Sequence, residues 1–196
     1  MIDIPKYQIP KFQVLSKEYD FKQKTDVKYA SYIACMYYEF AYYQMLDFCS
    51  TTNKFFEEAL PEDSPLIDTY LYKSWSHAYS MYALLRTTIE AVRKVNKEFL
   101  SDAEVGDFYK EKIKEIVDIA NDVVKHPMFN NNGVIDASYA YRPSALYRWD
   151  EIEIQQWSDQ TTPSSSLTIA PEKDFYMIQN YLEHIADLFS AKKFQS

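Results

Sequence analysis

Hydrophobic residues recur at helical spacing along most of the chain, and the most apolar of these runs comes first. Thr25 has the character of an N-cap, and from there to about Asn53 the residues are apolar or aromatic on nearly every side of a helix. Such a helix is either central in a bundle or shared with a second subunit. Glu39 lies in the middle of the run, where a carboxylate needs a partner. Glu39 is therefore a candidate binding residue. The alternative is a purely structural role, in which its carboxylate forms an ion pair or accepts a hydrogen bond from a tyrosine.

A second helix is predicted from Pro65, which suits the first helical position, to about Phe99. Apolar residues three and four apart form one stripe that should be buried. The stripe consists of Leu71, Trp75, Ala78, Tyr82, Leu85, Ile89 and Val92. Arg86 and Glu90 are four residues apart at its edge, and they can pair with each other or reach Glu39. Arg86 is therefore a second candidate binding residue.

A capping box of Ser101 and Glu104 predicts a third helix that runs to about Lys125. Its apolar face is predicted to consist of Phe108, Ile116, Ile119, Ala120 and Val123. Acidic residues occupy the opposite face at the same spacing, and they are Glu104, Asp107, Glu111, Glu115, Asp118 and Asp122. A carboxylate metal site needs acids that point inward from at least two helices. This row points outward and lysines flank it, so we interpret it as a solvated face and expect no metal site.

After Pro127 the periodicity changes from helical to alternating, which is typical of a strand. Ile152 and Ile154 lie on one side of the alternation. The aromatic residues on the other side are Tyr147, Trp149 and Trp157. With a serine-rich loop and a short returning strand, residues 133–170 are predicted to form a small β-hairpin or ribbon. If the two isoleucines pack on the helices, the three rings face outward as a candidate interaction surface.

Pro171 opens a last predicted helix, with a buried stripe at helical spacing. That stripe consists of Phe175, Ile178, Leu182, Ile185 and Phe189. At the other end of the chain, Pro5 and Pro10 exclude a helix from residues 1–24. This segment also carries several apolar residues, so we predict an extended arm that lies along the body of the protein.

These elements predict a single, mainly α domain over residues 1–196. The expected architecture is an up-and-down bundle of about four long helices, with an N-terminal arm and a small β-hairpin before the last helix. Residues 25–126 supply three of the helices and residues 171–192 supply the fourth. Because the first helix is apolar on too many sides for a monomer, we expect a homodimer.

Composition narrows the classes of protein that remain. Only two glycines occur in 196 residues, which argues against glycine-rich phosphate loops and doubly wound nucleotide folds. The common metal and nucleotide motifs do not occur either, and we expect no cofactor. The net charge of −8 argues against a nucleic-acid clamp, because affinity for phosphate chains comes mostly from Lys and Arg.

Cys35 and Cys49 are interpreted as reduced thiols, because they lie too far apart on one helix to form a disulfide with each other. The N-terminal sequence lacks the pattern of a signal peptide, and no apolar run is long enough to span a membrane. We therefore expect a cytoplasmic protein that does not contact the membrane.

The candidate chemistry lies at the end of the third helix, in the segment DIANDVVKH at residues 118–126. Together with MYALLRTTIEAV on the preceding helix, this segment resembles the HEPN superfamily. That resemblance implies an antiparallel helical bundle, often dimeric, and many members are metal-independent RNases of toxin and defence systems. Their motif is an Arg, usually followed by a polar residue, and a His four to six residues later. Asn121 matches the polar position and His126 the histidine, whereas Ala120 stands where the family has Arg.

RNA cleavage by transesterification needs a base for the 2′-hydroxyl proton and a group that stabilises the charge of the phosphorane. His126 suits the role of base. In the absence of the motif Arg, the positive charge would have to come from Lys125, from Arg86 or from a residue of the partner subunit. Asp118 and Asp122 would repel the phosphate. The structural alternative is that His126 and Lys125 bind the last carbonyls of the helix and interact with its dipole.

Two hypotheses about function follow. The first is a HEPN-like interaction or binding module without catalytic activity, which binds a protein partner through its dimer and ribbon surfaces. The second is a metal-independent endoribonuclease of a toxin or defence system that uses His126, with RNA as its partner. The missing Arg and the acidic net charge favour the first, and the sequence leaves open whether the protein is an enzyme.

Overall fold

A computed structural model of the protein describes residues 11, 25–61, 63–121, 140–148, 151–157 and 163–193. Its elements, in chain order, are α1 (Thr25–Glu57), α2 (Leu66–Phe99), α3 (Asp102–Val105), α4 (Asp107–Ala120), β1 (Ala140–Arg148), β2 (Glu151–Trp157), β3 (Pro163–Ile169) and α5 (Pro171–Lys193). The predicted fold class is confirmed: the protein is mainly helical, and a small antiparallel sheet precedes the last helix.

The contacts between helices show that successive long helices run in opposite directions. Thr52 of α1 shares a buried hydrogen bond of 3.2 Å with Ser74 near the start of α2, which makes these helices antiparallel. The ring of Tyr109, in the first turn of α4, lies against that of Tyr181 in the middle of α5. His184, one turn further along α5, reaches back to the carbonyl oxygen of Val105 at 3.2 Å. The bundle is therefore up-and-down.

The core lies between the predicted apolar stripes. On α5 all five residues of the predicted stripe are buried, and on α2 five of the seven are buried. These residues are Ala78, Tyr82, Leu85, Ile89 and Val92 on α2, and Phe175, Ile178, Leu182, Ile185 and Phe189 on α5. The inner side of α1 packs on them, with Tyr38 stacked on Phe175 at a centroid distance of 5.2 Å.

The predicted third helix differs from expectation in one respect, since Gly106 interrupts it after a single turn. The capping box is present, and the Glu104 carboxylate accepts a hydrogen bond of 2.6 Å from the backbone N–H of Ser101. Gly106 then has φ +83° and ψ 143°, which only glycine adopts readily. Because this torsion ends one helix and starts another, Phe108 is exposed instead of lying on the apolar face. Ile113, Ile116 and Ala120 form the buried face of α4.

The sheet has the strand order β1-β2-β3, and both pairs of strands are antiparallel. The predicted returning strand is thus β3. Ile152 and Ile154 on β2 are buried in the main core together with Ile169 on β3, as their alternation indicated. Lys173 in the first turn of α5 pairs with Glu151 at 3.0 Å, which ties the sheet to the helix that follows it.

Most of the predicted arm, residues 1–24, lies outside the described residues. Lys11 is described and is helical, so the prediction of an extended conformation is wrong at this position. Its backbone N–H donates a hydrogen bond of 2.8 Å to the carboxylate of Glu183 on α5. Its ammonium group lies 3.3 Å from the carboxylate of Asp187, one turn further along the same helix. Residue 11 therefore contacts the outer side of α5.

Candidate functional site

Only part of the predicted nuclease motif falls within the described residues. Asn121 directly follows α4, and its backbone N–H donates to the carbonyl oxygens of Val117 and Asp118. Its side-chain oxygen is buried and accepts no hydrogen bond from any described residue. Ala120, at the position of the family's Arg, is completely buried in the core. His126 and Lys125 lie outside the described residues, so their predicted roles stay predictions.

The two candidate binding residues are both described, and each has a local partner. Arg86 pairs with Glu90 one turn along α2, and its guanidinium lies 2.9 Å from the carboxylate. Of the two predicted alternatives, the structure therefore shows the pairing of these residues with each other. Glu39 accepts a hydrogen bond of 3.5 Å from the hydroxyl of Tyr43, one turn along α1. Among the described side chains, no hydrogen bond or ion pair joins Asn121, Arg86 and Glu39 to one another.

A partly buried polar contact joins α2 to α5. The hydroxyl of Tyr82, which is completely buried, donates a hydrogen bond to the half-buried carboxylate of Asp174. Burial raises the pKa of both groups, and the negative charge of Glu115 on α4 raises the pKa of Asp174 further. Lys112 on α4 acts in the opposite direction and lowers the pKa of Asp174. The neutral phenol is therefore a fixed donor at neutral pH.

A second buried contact joins the same two helices. The side-chain amide of Asn96 donates a hydrogen bond of 2.9 Å to the hydroxyl of Tyr181, and burial raises the pKa of that phenol to about 12. The ring of His184 stacks on Tyr109 at a centroid distance of 4.7 Å. These groups pack between helices and hold them together. None of the described His, Cys, Asp and Glu side chains gathers in threes as metal ligands would.

The two cysteines form no disulfide. Cys49 is completely buried, and burial, with the negative charge of Glu172 as a smaller cause, raises the pKa of its thiol to about 12. A thiol with such a pKa stays protonated at neutral pH. It is therefore a poor nucleophile and a poor metal ligand.

The most unusual surface among the described residues is on α1. Four aromatic residues on this helix are exposed: Tyr29, Tyr32, Phe40 and Tyr43 show 64%, 65%, 45% and 52% of their full residue areas to solvent. At 100° per residue they fall within a sector of about 80°. Met36 lies at the centre of this sector and is half-buried. We call these five residues the outer face of α1.

The sequence predicted that α1 is apolar nearly all round, but it did not predict which side is left uncovered. The signal was present in the spacing of large residues at 29, 32, 36, 40 and 43, which follows one side of a helix. The predicted surface on the ribbon is not described: Trp149 lies outside the described residues, and of Tyr147 and Trp157 only the backbone is described.

The chain matches no protein-family model, no curated protein and no solved structure. The resemblance to the HEPN superfamily therefore depends on the residues of the motif and on the helical prediction alone. None of the described helices contains an apolar stretch of the length that a bilayer crossing requires.

Proposed function

We propose that the protein is a HEPN-like interaction module without catalytic activity, and that it binds another protein chain through the outer face of α1. One observation carries this proposal. Four large aromatic rings lie exposed along one side of a helix whose other side is already packed in the core. Contiguous apolar patches of a few hundred Å² on a protein surface are often functional, and interaction sites are one such use.

The size of the surface supports the proposal. An aromatic side chain offers roughly 150–250 Å² for burial, so the exposed fractions of the four rings amount to roughly 350–550 Å². One partner contributes about 800 Å² to a standard protein–protein interface. The four rings therefore supply about half of an interface, and their immediate neighbours on α1 can supply the rest. Tyrosine and other aromatic residues are also the types enriched at the centres of such interfaces.

Two further observations weigh against the nuclease alternative. A guanidinium at the position of Ala120 would be buried in the core, because that side chain is completely covered. The net charge of −8 also opposes the approach of a polyanion. Both support a role in binding protein rather than in cutting RNA.

The proposal is tested by comparing the wild-type protein with a variant that carries Tyr32→Lys and Phe40→Lys. The hydrodynamic size is measured by sedimentation velocity for the purified protein, and by gel filtration for the tagged protein in an extract of cells that produce it. We expect the wild type to form an assembly larger than a monomer in at least one of these settings and the variant to be monomeric in both. The new charges sit on exposed positions, so circular dichroism should show an unchanged helical content.

The matched control carries Tyr72→Lys and Phe108→Lys, which changes two exposed aromatic residues on α2 and α4 to the same residue type. We expect this control to assemble like the wild type. A wild-type protein that is monomeric in both settings overturns the proposal, as does a control that is as defective as the variant. Metal-independent RNA cleavage by the purified protein would overturn the non-catalytic part.

A further inference from the structure

The exposed rings on α1 are arranged symmetrically along the helix. Tyr29 and Tyr43 are each seven residues from Met36, and Tyr32 and Phe40 are each four residues from it. At a rise of about 1.5 Å per residue, the two pairs lie about 10 Å and about 6 Å on either side of this centre. The outer face therefore has nearly the same pattern when it is read in either direction.

When a surface with this pattern meets a second copy of itself across a two-fold axis at its centre, similar residues come to lie beside one another. In such an interface residue i of one subunit contacts residue j of the other, and j contacts i in return. If two α1 helices cross antiparallel at Met36, Tyr29 enters the same layer as the partner subunit's Tyr43. Tyr32 enters the same layer as the partner subunit's Phe40. Every exposed ring then has a ring beside it, and offset or edge-to-face contacts become available to each pair.

We propose that the partner bound by the outer face is a second copy of this chain, docked antiparallel with the two-fold axis passing between the two copies of Met36. This inference rests on the proposed function and adds the identity and orientation of the partner. Four layers of rings, two on each side of the axis, would form a seam about 21 Å long, since the stripe spans fourteen residues at about 1.5 Å each.

Charge distinguishes this arrangement from a parallel one. Glu39 is half-buried at the edge of the outer face, three residues after Met36. In the antiparallel dimer it lies opposite the partner's segment before Met36, and residues 29–35 carry no charged side chain. In a parallel dimer Glu39 would lie beside the partner subunit's Glu39. Two carboxylates at close range repel each other, so the antiparallel orientation is favoured.

Pairs of single cysteines test the orientation. Cys35 and Cys49 are first replaced by alanine, and sedimentation velocity establishes that this background assembles like the wild type. Met36→Cys, Tyr29→Cys or Tyr43→Cys is then introduced, and each purified variant is treated with a short bismaleimide. We expect Met36→Cys to form covalent dimers by itself, because the two copies of this residue face each other across the axis. Tyr29→Cys should not, because its two copies are about 21 Å apart along the helices.

The mixture of Tyr29→Cys and Tyr43→Cys proteins should form covalent dimers, because the antiparallel arrangement places these positions in one layer. Tyr72→Cys on α2 serves as the control and should give no covalent dimer. Efficient linking of Tyr29→Cys to itself would show a parallel dimer, which overturns the inference but leaves the proposed function standing.

The assembly state of the protein tests the proposed function and the self-association separately. A purified protein that stays monomeric up to about 100 μM, well above the micromolar range of moderate affinity, overturns self-association. If the same protein then forms a larger assembly in cell extract that the Tyr32→Lys and Phe40→Lys substitutions abolish, the proposed function stands with a different partner. Monomers in both settings would overturn both claims.

Discussion

The outer faces of α1 and α4 are both exposed, yet they are built from opposite residue types. On α4 the acidic residues Asp107, Glu115 and Asp118 pair with lysines one turn away, at distances of 2.5–3.4 Å. On α1 the four exposed residues of the outer face are aromatic. Charged pairs at this spacing interact favourably with water and with one another. The carbon atoms of aromatic rings have no comparable interaction with water, so a contact that covers them lowers the free energy of the protein.

The comparison shows that exposure alone does not mark a binding surface. The face of α4 needs no partner, although its row of carboxylates is the more conspicuous pattern in the sequence. The outer face of α1 is less conspicuous in the sequence, because the buried side of the same helix also carries aromatic residues. Three predictions test whether the two faces differ as much as their chemistry indicates.

The largest effect is expected from truncating single exposed rings on the two helices. Phe40→Ala should weaken the α1-mediated dimer by about 30-fold or more, which corresponds to a loss of about 2 kcal/mol for a central aromatic residue. Phe108→Ala on α4 should leave the dissociation constant unchanged and the free energy of unfolding within about 0.5 kcal/mol. Sedimentation equilibrium and urea unfolding measure the two quantities. Equal effects of both substitutions on association would remove the distinction between the faces.

A smaller effect is expected from Lys112 on α4, which acts on the interior rather than on association. Burial raises the pKa of Asp174, so the folded state holds this proton more tightly than the unfolded state. Stability should therefore fall as pH rises from the ordinary Asp value of about 3.9 through the raised value. Lys112→Gln removes a charge that lowers the pKa of Asp174. The pKa of Asp174 should therefore rise in this variant, and the fall in stability should extend to higher pH.

The matched control for this prediction is Lys114→Gln, because Lys114 pairs with Asp118 on the outer side of α4. Carboxyl NMR titration of Asp174 and thermal unfolding across acidic pH provide the measurements. Lys114→Gln should leave the titration of Asp174 as in the wild type. A pKa of Asp174 that stays unchanged in Lys112→Gln would contradict the account of this contact.

The smallest effect is expected from salt. Because the rings of α1 are uncharged, raising sodium chloride from about 0.05 to about 0.5 M should change the dimer dissociation constant by less than about threefold. Any change should favour association, since salt screens the net charge of −8 on each copy. A dimer formed instead through the charged face of α4 would weaken markedly with salt. Sedimentation velocity over a salt series separates these outcomes.

Helical periodicity predicted most of the fold because each long helix buries a single side. The stripes on α2 and α5 followed from spacing alone, and so did the burial of Ile152 and Ile154. The contact between Tyr82 and Asp174 had no local signal, because the two residues are 92 positions apart and meet only when α2 and α5 pack.

The candidate site was predictable to a lesser extent. The apolar circumference of α1 indicated a helix shared between two subunits. Its exposed side could not be located from the sequence, because it depends on how the other helices pack. In the structure Tyr38 and Met45 are buried, whereas Tyr32 and Phe40 are exposed. The nuclease motif remains a prediction, since His126 lies outside the described residues. Its partner position Asn121 is described, and its side-chain oxygen is buried.

Gly106 shows how one torsion angle sets the shape of this part of the bundle. No atom lies within 4 Å of the place where a Cβ at this position would sit, so space does not require glycine. The backbone does, because φ +83° with ψ 143° is nearly closed to every other L-amino acid. The penalty for replacing Gly106 with alanine thus comes from the chirality of the residue and not from crowding at its Cβ atom, whereas the penalty at Ile116 scales with the volume removed. Even alanine, which adds only a methyl group, would meet this penalty.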